Sequence, residues 1–381
     1  MSEKGLSLYI HWPFCTSKCP YCDFNSHVSA SIDAHEWFNA YKQELQFFKQ
    51  WLPERKIKTI FFGGGTPSLM PPWLVEDVLS EIAKLWPVGD VEITLEANPG
   101  SVELAKLQAF KSAGVNRLSM GVQSLRDESL RFLGRLHNRE EAIKAIELVS
   151  NTFERYSFDL IYARPEQSLE DWREELSEAL TYTHDHISAY QLIIEPGTAF
   201  YTKYQRGEFK LPDEDLSADM YDLTKDMLLE KGLLAYEVSN YAKPGSESQH
   251  NLVYWRYEDY VGIGPGAHGR IYDNGIKKAI KNVRAPKLWL EAVAEKEQGV
   301  QEIVNLNHGE IAQEIIIMGL RLAEGISLRN DYGIELFDYL KPEAISKFKE
   351  AGLLSIDNNW LKLNFEGRKI LNYIVAELLV D

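Results

Sequence analysis

The chain has 381 residues, 45% hydrophobic and 26% charged, enough for a large core and an appended smaller unit. Lys plus Arg total 41 against 57 Asp plus Glu, a formal net charge of −16 that repels phosphate backbones and excludes nucleic acid as a general partner. No run reaches the roughly 20 uncharged apolar residues of a membrane span, no basic start precedes an apolar stretch, and three clustered cysteines make no disulfide framework; the expectation is a soluble, cytoplasmic protein.

Strand-like runs rich in Ile, Leu, Phe and Tyr alternate with helix-length amphipathic segments from the start. "LSLYIHW" precedes a helix through Trp37 to Trp51, "TIFFGGG" one from Pro72 to Trp86, and "EITLEANP" one near Val102 to Ala113. "RLSMGVQS" precedes helical sequence to Ser150, "FDLIYA" leads into a helix over Leu169 to Tyr182, and "HISAYQLIIEP" is a sixth strand. This rhythm predicts an α/β fold with a parallel sheet, a partial (β/α)6 barrel over residues 1–200.

After Glu195-Pro196-Gly197 the rhythm stops. Residues 201–306 are expected to complete the barrel, mixing acidic helical sequence with the aromatic, glycine-rich run "QHNLVYWRYEDYVGIGPGAHGR". Residues 307–381 read as helices, then "LLSIDNNWLKLNFEG" as two strands around an Asn-Asn turn, then a last helix. That order predicts a mainly helical, winged-helix-like domain, for which the acidic balance favours an interaction or lid role over DNA binding.

Every cysteine lies in "YIHWPFCTSKCPYCDF", with Cys15, Cys19 and Cys22 in Cx3Cx2C spacing. Three such thiolates suit three irons of a [4Fe–4S] cluster, leaving the fourth open to a small molecule. The alternatives are a zinc site completed by His11 or His27 and, more simply, unrelated buried thiols. Pro13, Lys18 and Pro20 favour an exposed loop. "FFGGGTPS" puts glycines after the second strand, where a missing side chain lets backbone approach a ligand, although a tight turn explains them equally well. Glu96 in "LEANPG" and Gln123 in "GVQS" end the third and fourth strands, where barrels concentrate binding groups.

In this order the motifs resemble the radical S-adenosylmethionine enzymes. The resemblance implies that the open iron chelates the methionine end of S-adenosylmethionine, and that the reduced cluster passes an electron to the sulfonium, releasing a 5′-deoxyadenosyl radical. Carried over by motif, it implies cofactor contacts from Tyr9, Tyr21, Gly64, Gly65, Thr66, Glu96, Gln123, Arg135 and Asp159. Carboxylates suit ribose hydroxyls and an ammonium, and an arginine suits a carboxylate.

"YIHWPFC", "GGGTPS", "RLSMGVQS", "LGRLH", "DLIYARPEQS" and "YQLIIEPGT" narrow the resemblance to the group that holds oxygen-independent coproporphyrinogen III dehydrogenase and the HemW-type haem chaperones. The dehydrogenase pattern has a fourth cysteine two residues after the third, where this chain has Phe24, and a longer stretch before the cluster. "QHNLVYW" matches the HNxxYW motif of the chaperone branch, which implies His250 as a candidate axial haem ligand beside Tyr254 and Trp255. Without that resemblance His250 reads as a capping or hydrogen-bonding residue; His268 is a rival ligand, and His11 is as readily structural as functional. Where the family usually continues Gly-Leu-Pro after Asp159-Leu160-Ile161-Tyr162, this chain has Ala163-Arg164-Pro165. Arg164 is then either in an exposed salt bridge or in contact with a propionate or partner.

The expected function is that of a haem carrier which keeps a cluster and an S-adenosylmethionine site and passes haem to acceptor proteins. The alternative is an oxygen-independent coproporphyrinogen III oxidase of porphyrin biosynthesis, forming protoporphyrinogen IX by radical decarboxylation; a radical enzyme on another substrate is a third reading. The resemblance also implies an electron donor, peripheral membrane association and a homodimer, none of which the residues themselves specify.

Overall fold

The computed structural model describes residues 5–380; residues 1–4, which carry part of the expectation of a chain without a leader, and residue 381 lie outside the described residues. Six strands, β1 (Gly5–Trp12), β2 (Lys56–Gly64), β3 (Val88–Ala97), β4 (Arg117–Gln123), β5 (Arg155–Tyr162) and β6 (His186–Gln191), run side by side in chain order. Each is parallel to the next. Their burial is near-continuous, as it must be for a parallel sheet covered on its outer face: β2 is buried from Thr59 through Gly64. Helices fill the crossovers and turn one apolar stripe inward, as in residues 34–51, where Trp37, Tyr41, Leu45 and Phe48 are buried at helical spacing.

The segment after residue 200 extends this sheet at both edges. β7 (Leu234–Ala235) and β8 (Asn240–Ala242) add antiparallel beside β6. β9 (Tyr260–Ile263) pairs parallel with β1, and β10 (His268–Asp273), β11 (Ile276–Asn282) and β12 (Val300–Asn305) continue antiparallel. The result is a twelve-stranded open sheet with β12 and β7 at its ends. Glu44 pins this addition to the first helix: its buried carboxylate accepts from the backbone N–H of Gly264 (2.7 Å) and Gly299 (2.9 Å), and from Asn282 and Trp289 (3.1 Å each). Burial pushes its pKa up to about 7, against the pull of those donors.

The C-terminal unit packs helices 308–319, 342–350 and 371–378 around a three-stranded wing of β13 (Ile326–Ser327), β14 (Leu354–Asp357) and β15 (Trp360–Leu363). Asn358 and Asn359 both adopt left-handed φ (48° and 66°), the two-residue turn that the twist of the β14–β15 hairpin requires. Ile316, Leu336, Leu361 and Ile374 belong to a core of its own, separate from that of the barrel. At the junction, the fully buried Lys277 donates to Asp259 (2.9 Å) and to the Tyr332 hydroxyl (3.1 Å), tying the two units together.

Arg164 departs from expectation. It is 4% exposed, not a surface group; its guanidinium pairs with Glu175, buried in the helix over 169–179, and donates to Ser124 Oγ (2.7 Å). Glu175 also accepts from the Leu125 N–H (2.7 Å), so this pair clamps the turns after β4 and β5 and has no reach to a propionate or partner. Ala163 holds φ +55°, so the turn forms without glycine at a cost of roughly 1–2 kcal/mol. Removing one member strands a buried charge: Arg164→Ala should lower unfolding free energy by about 3–5 kcal/mol in urea titration. A loss within 0.5 kcal/mol, on the order expected of a surface pair, would contradict the clamp.

Candidate functional site

The mouth of the barrel, where β1–β6 end, holds a cavity of about 450 Å³. The cysteine loop that roofs it has little regular structure and is fixed by its base. Cys15 N donates to His27 O (2.9 Å) and His27 N to Pro13 O (2.7 Å), while Gly65 N and Thr66 N, just past β2, donate to Trp12 O (2.7 Å) and Phe14 O (2.9 Å). Gly65 is required here for packing against protein. A Cβ on it would lie 2.6–2.9 Å from the Phe14 backbone. Gly64 takes φ +115°, and its N–H donates to Glu96 (3.1 Å).

Each sulfur has a polar partner on a different residue. Thr66 Oγ1 lies 3.4 Å from Cys15 Sγ, Arg135 Nη1 3.4 Å from Cys19 Sγ, and Ser26 Oγ 3.8 Å from Cys22 Sγ. All three thiols are free, and burial pushes those of Cys15 and Cys22 up. The zinc alternative finds no support: among the described residues no three His, Cys, Asp or Glu side chains close on one ion. The candidate fourth ligands are engaged elsewhere, His11 Nε2 with Asn25 O (3.0 Å) and His27 Nε2 with Asn25 Oδ1 (3.1 Å). The three sulfurs line one cavity, as ligands of a single iron–sulfur cluster must.

Below the sulfurs the wall is polar. Tyr21, Gly64, Gly65, Thr66, Glu96, Gln123, Arg135 and Asp159, all singled out by sequence, line this one cavity. Burial and the Asp159 charge push Glu96 up to about 8; burial pushes Asp159 up to about 6, opposed by Ser188, Arg117 and Arg135. Near neutral pH the pair therefore carries about one dissociable proton. Arg135 is held by Asn98 Oδ1 (2.5 Å) and Gly121 O (2.8 Å), and Asn98 also donates to Thr66 (2.9 Å).

Sequence reasoning missed Asn98, although it directly follows Glu96 and Ala97. It also missed Ser119, Arg117 and Tyr190. Arg117 and Tyr190 meet Glu96 and Asp159 across a smaller polar chamber of about 110 Å³ beneath the main cavity. Alternation along β4 places Arg117, Ser119 and Gly121 on the inner face and was the available signal.

Tyr9 and His250 do not reach the mouth. Tyr9 lies a layer below it, its hydroxyl on His11 Nδ1 (3.1 Å). His250, on the helix Gln249–Trp255, is wholly buried: Nδ1 meets Thr59 Oγ1 (2.7 Å), Nε2 meets the Tyr254 hydroxyl (2.8 Å), and the ring stacks on Phe61 at 4.9 Å. Burial lowers its pKa to about 3, so the ring is neutral, but both nitrogens are engaged. The expected axial ligand is in this geometry a core hydrogen-bonding residue. His268 is exposed on β10 and does not line the mouth.

Residues 9–179 match the radical SAM superfamily and residues 306–370 the HemN C-terminal domain. The chain is 37% identical to radical S-adenosyl methionine domain-containing protein 1, mitochondrial, of Bos taurus, over 99% of this chain and 88% of that one. It is 35% identical to heme chaperone HemW of Bacillus subtilis (98% and 99% covered) and 44% identical to that of Escherichia coli (70% and 70%). The chain belongs to the HemW group of the radical S-adenosylmethionine superfamily. Its fold is that of coproporphyrinogen III oxidase (HemN) from Escherichia coli, with a TM-score of 0.83 at 23% identity over 98% of this chain and 90% of that one. Among the described residues no helix is long and apolar enough to cross a membrane.

In this HemW-group chain the cysteine loop depends on the bare backbone of Gly65. Gly65→Ala should cost about 1–3 kcal/mol of stability, read as a fall in Tm. Gly100→Ala, where an added Cβ has nothing within 4 Å, should leave Tm unchanged. Equal Tm values for the two would show that the loop does not rest on Gly65.

Proposed function

We propose that the chain is a cytoplasmic haem chaperone that holds a [4Fe–4S] cluster on Cys15, Cys19 and Cys22, binds S-adenosylmethionine beneath it, and transfers haem to acceptor proteins. The observation that carries the cofactor part is the single cavity in which three hydrogen-bonded sulfurs face Glu96, Gln123, Arg135 and Asp159. The haem part is supported by the relatives named heme chaperone HemW, which are 35–44% identical.

When bound, a reduced cluster supplies an electron to a sulfonium. The residues do the rest. The donors from Thr66, Ser26 and Arg135 offset thiolate charge and so favour the reduced state. Glu96 and Asp159 face the cationic ligand, and the Gly64 N–H orients Glu96. Arg135, fixed by Asn98 and Gly121, presents positive charge to a carboxylate or to the cluster. Phe24, 58% exposed at the rim, stands where the dehydrogenase pattern has its fourth cysteine, which favours the carrier over the oxidase. Anaerobic reconstitution should give about four irons per chain and no catalytic turnover of coproporphyrinogen III. Multiple turnovers to protoporphyrinogen would make it the oxidase.

The sign of the pH dependence follows from the acid pair. A cationic ligand favours the ionised carboxylates, whose pKa values of about 8 and about 6 lie above those of free side chains. Binding of S-adenosylmethionine should therefore release protons at pH 7, and affinity should rise between pH 6 and 8. Calorimetry in buffers of different ionisation enthalpy measures the release, and Glu96→Gln should remove most of it. Zero release in the wild type would mean that the pair is already ionised or lies outside the ligand's reach.

A further inference from the structure

The mouth cavity, if it holds a cluster and S-adenosylmethionine, has its volume of about 450 Å³ committed, and His250 is sealed in the core. A carried haem needs another seat. At the opposite end of the barrel, where β1 and β2 begin and the C-terminal unit packs, lies a larger cleft of about 720 Å³. Its volume falls within the roughly 300–1,000 Å³ of cofactor sites.

We propose that this cleft is the haem seat, and that it takes a planar, carboxylate-bearing tetrapyrrole by stacking and charge, without a histidine ligand. The proposal rests on the haem-chaperone reading. One wall is Trp255, the last residue of the helix that His250 anchors; its face is backed by the Arg321 guanidinium at 4.5 Å. The other wall comes from the C-terminal unit: Ile326, Tyr332 and Trp360, the last 42% exposed at the start of β15. An exposed tryptophan facing an open cleft is the kind of surface that flat aromatic ligands cover.

Two cations stand on opposite walls. Lys56 is exposed and, among the described residues, pairs with no carboxylate. Arg329 meets only Glu335, at 3.6 Å with both side chains more than half exposed, a pair too solvated to hold it. The acids lining the cleft are mostly neutralised: Glu258 by Lys58 (2.5 Å), Glu324 by Arg256 (2.8 Å) and Asp259 by Arg55 and Lys277 (2.9 Å each), leaving Asp331. Among the described residues no histidine or cysteine lines the cleft. A haem so held keeps its iron free for an acceptor's ligand, which suits transfer.

The test is a titration of the full chain, cluster reconstituted, with ferric haem, followed by Soret absorbance. Lys56→Glu/Arg329→Glu should weaken binding about tenfold or more, and Trp360→Ala severalfold. Haem bound to His250→Ala, if folded by its cluster spectrum, should show the same Soret and paramagnetic resonance signature as in the wild type whatever its affinity, and a changed iron signature would overturn the histidine-free seat. Saturating S-adenosylmethionine should not displace haem. Full affinity in both cleft variants, or displacement by S-adenosylmethionine, overturns the cleft while the chaperone reading stands. A wild-type chain that takes up no haem overturns the chaperone reading itself.

Discussion

The candidate site depends on one backbone junction. The loop bearing all three cysteines is irregular, and what ties it to the second strand is the pair of hydrogen bonds from Gly65 and Thr66 to Trp12 and Phe14. Those bonds form because β1 and β2 are neighbours in parallel register, Trp12 opposite Gly64. Apolar burial in the sheet thus becomes sulfur position: Leu8, Ile10 and Phe62 fix the two strands, and the strand ends fix the loop. The missing side chain at Gly65 lets the junction close.

The same barrel stores polarity that the acidic composition alone does not explain. Carboxylates inside it do three different jobs. Glu44 is surrounded by four donors and serves as a pin. Glu175 is neutralised by Arg164 and serves as a clamp. Glu96 receives one backbone N–H and faces a cavity, so it alone of the three has unspent acceptor capacity pointed at space where a ligand can sit. Donor count separates structure from function here more sharply than burial does.

What was legible in the sequence was local. The six βα units follow from periodicity, the β14–β15 turn from Asn358-Asn359, and the three-sulfur constellation from spacing within eight positions. What was not legible depends on partners far along the chain. His250 looks like an aromatic-flanked ligand until Thr59, 191 residues away, takes one ring nitrogen. Arg164 looks exposed because it follows a strand in a turn, but a helix places Glu175 against it. The two-edged extension of the sheet was equally hidden, because nothing local tells β9 to pair with β1 rather than to follow β8.

His250 links these levels. Its imidazole fills the closed end of the barrel against Phe61 and Thr59, while Glu92 accepts the N–H groups of Gln249 and His250 at the start of the same short helix. One turn and a half later that helix delivers Trp255 to the cleft beside the C-terminal unit. A motif with a buried histidine and a half-exposed tryptophan therefore acts as an anchor and a presented face. Substituting the histidine perturbs the tryptophan's position, so loss of ligand on removing His250 would not by itself identify an iron ligand. The distinction lies in the chemistry of the bound iron: direct imidazole ligation leaves a spectroscopic signature, and an anchoring role does not.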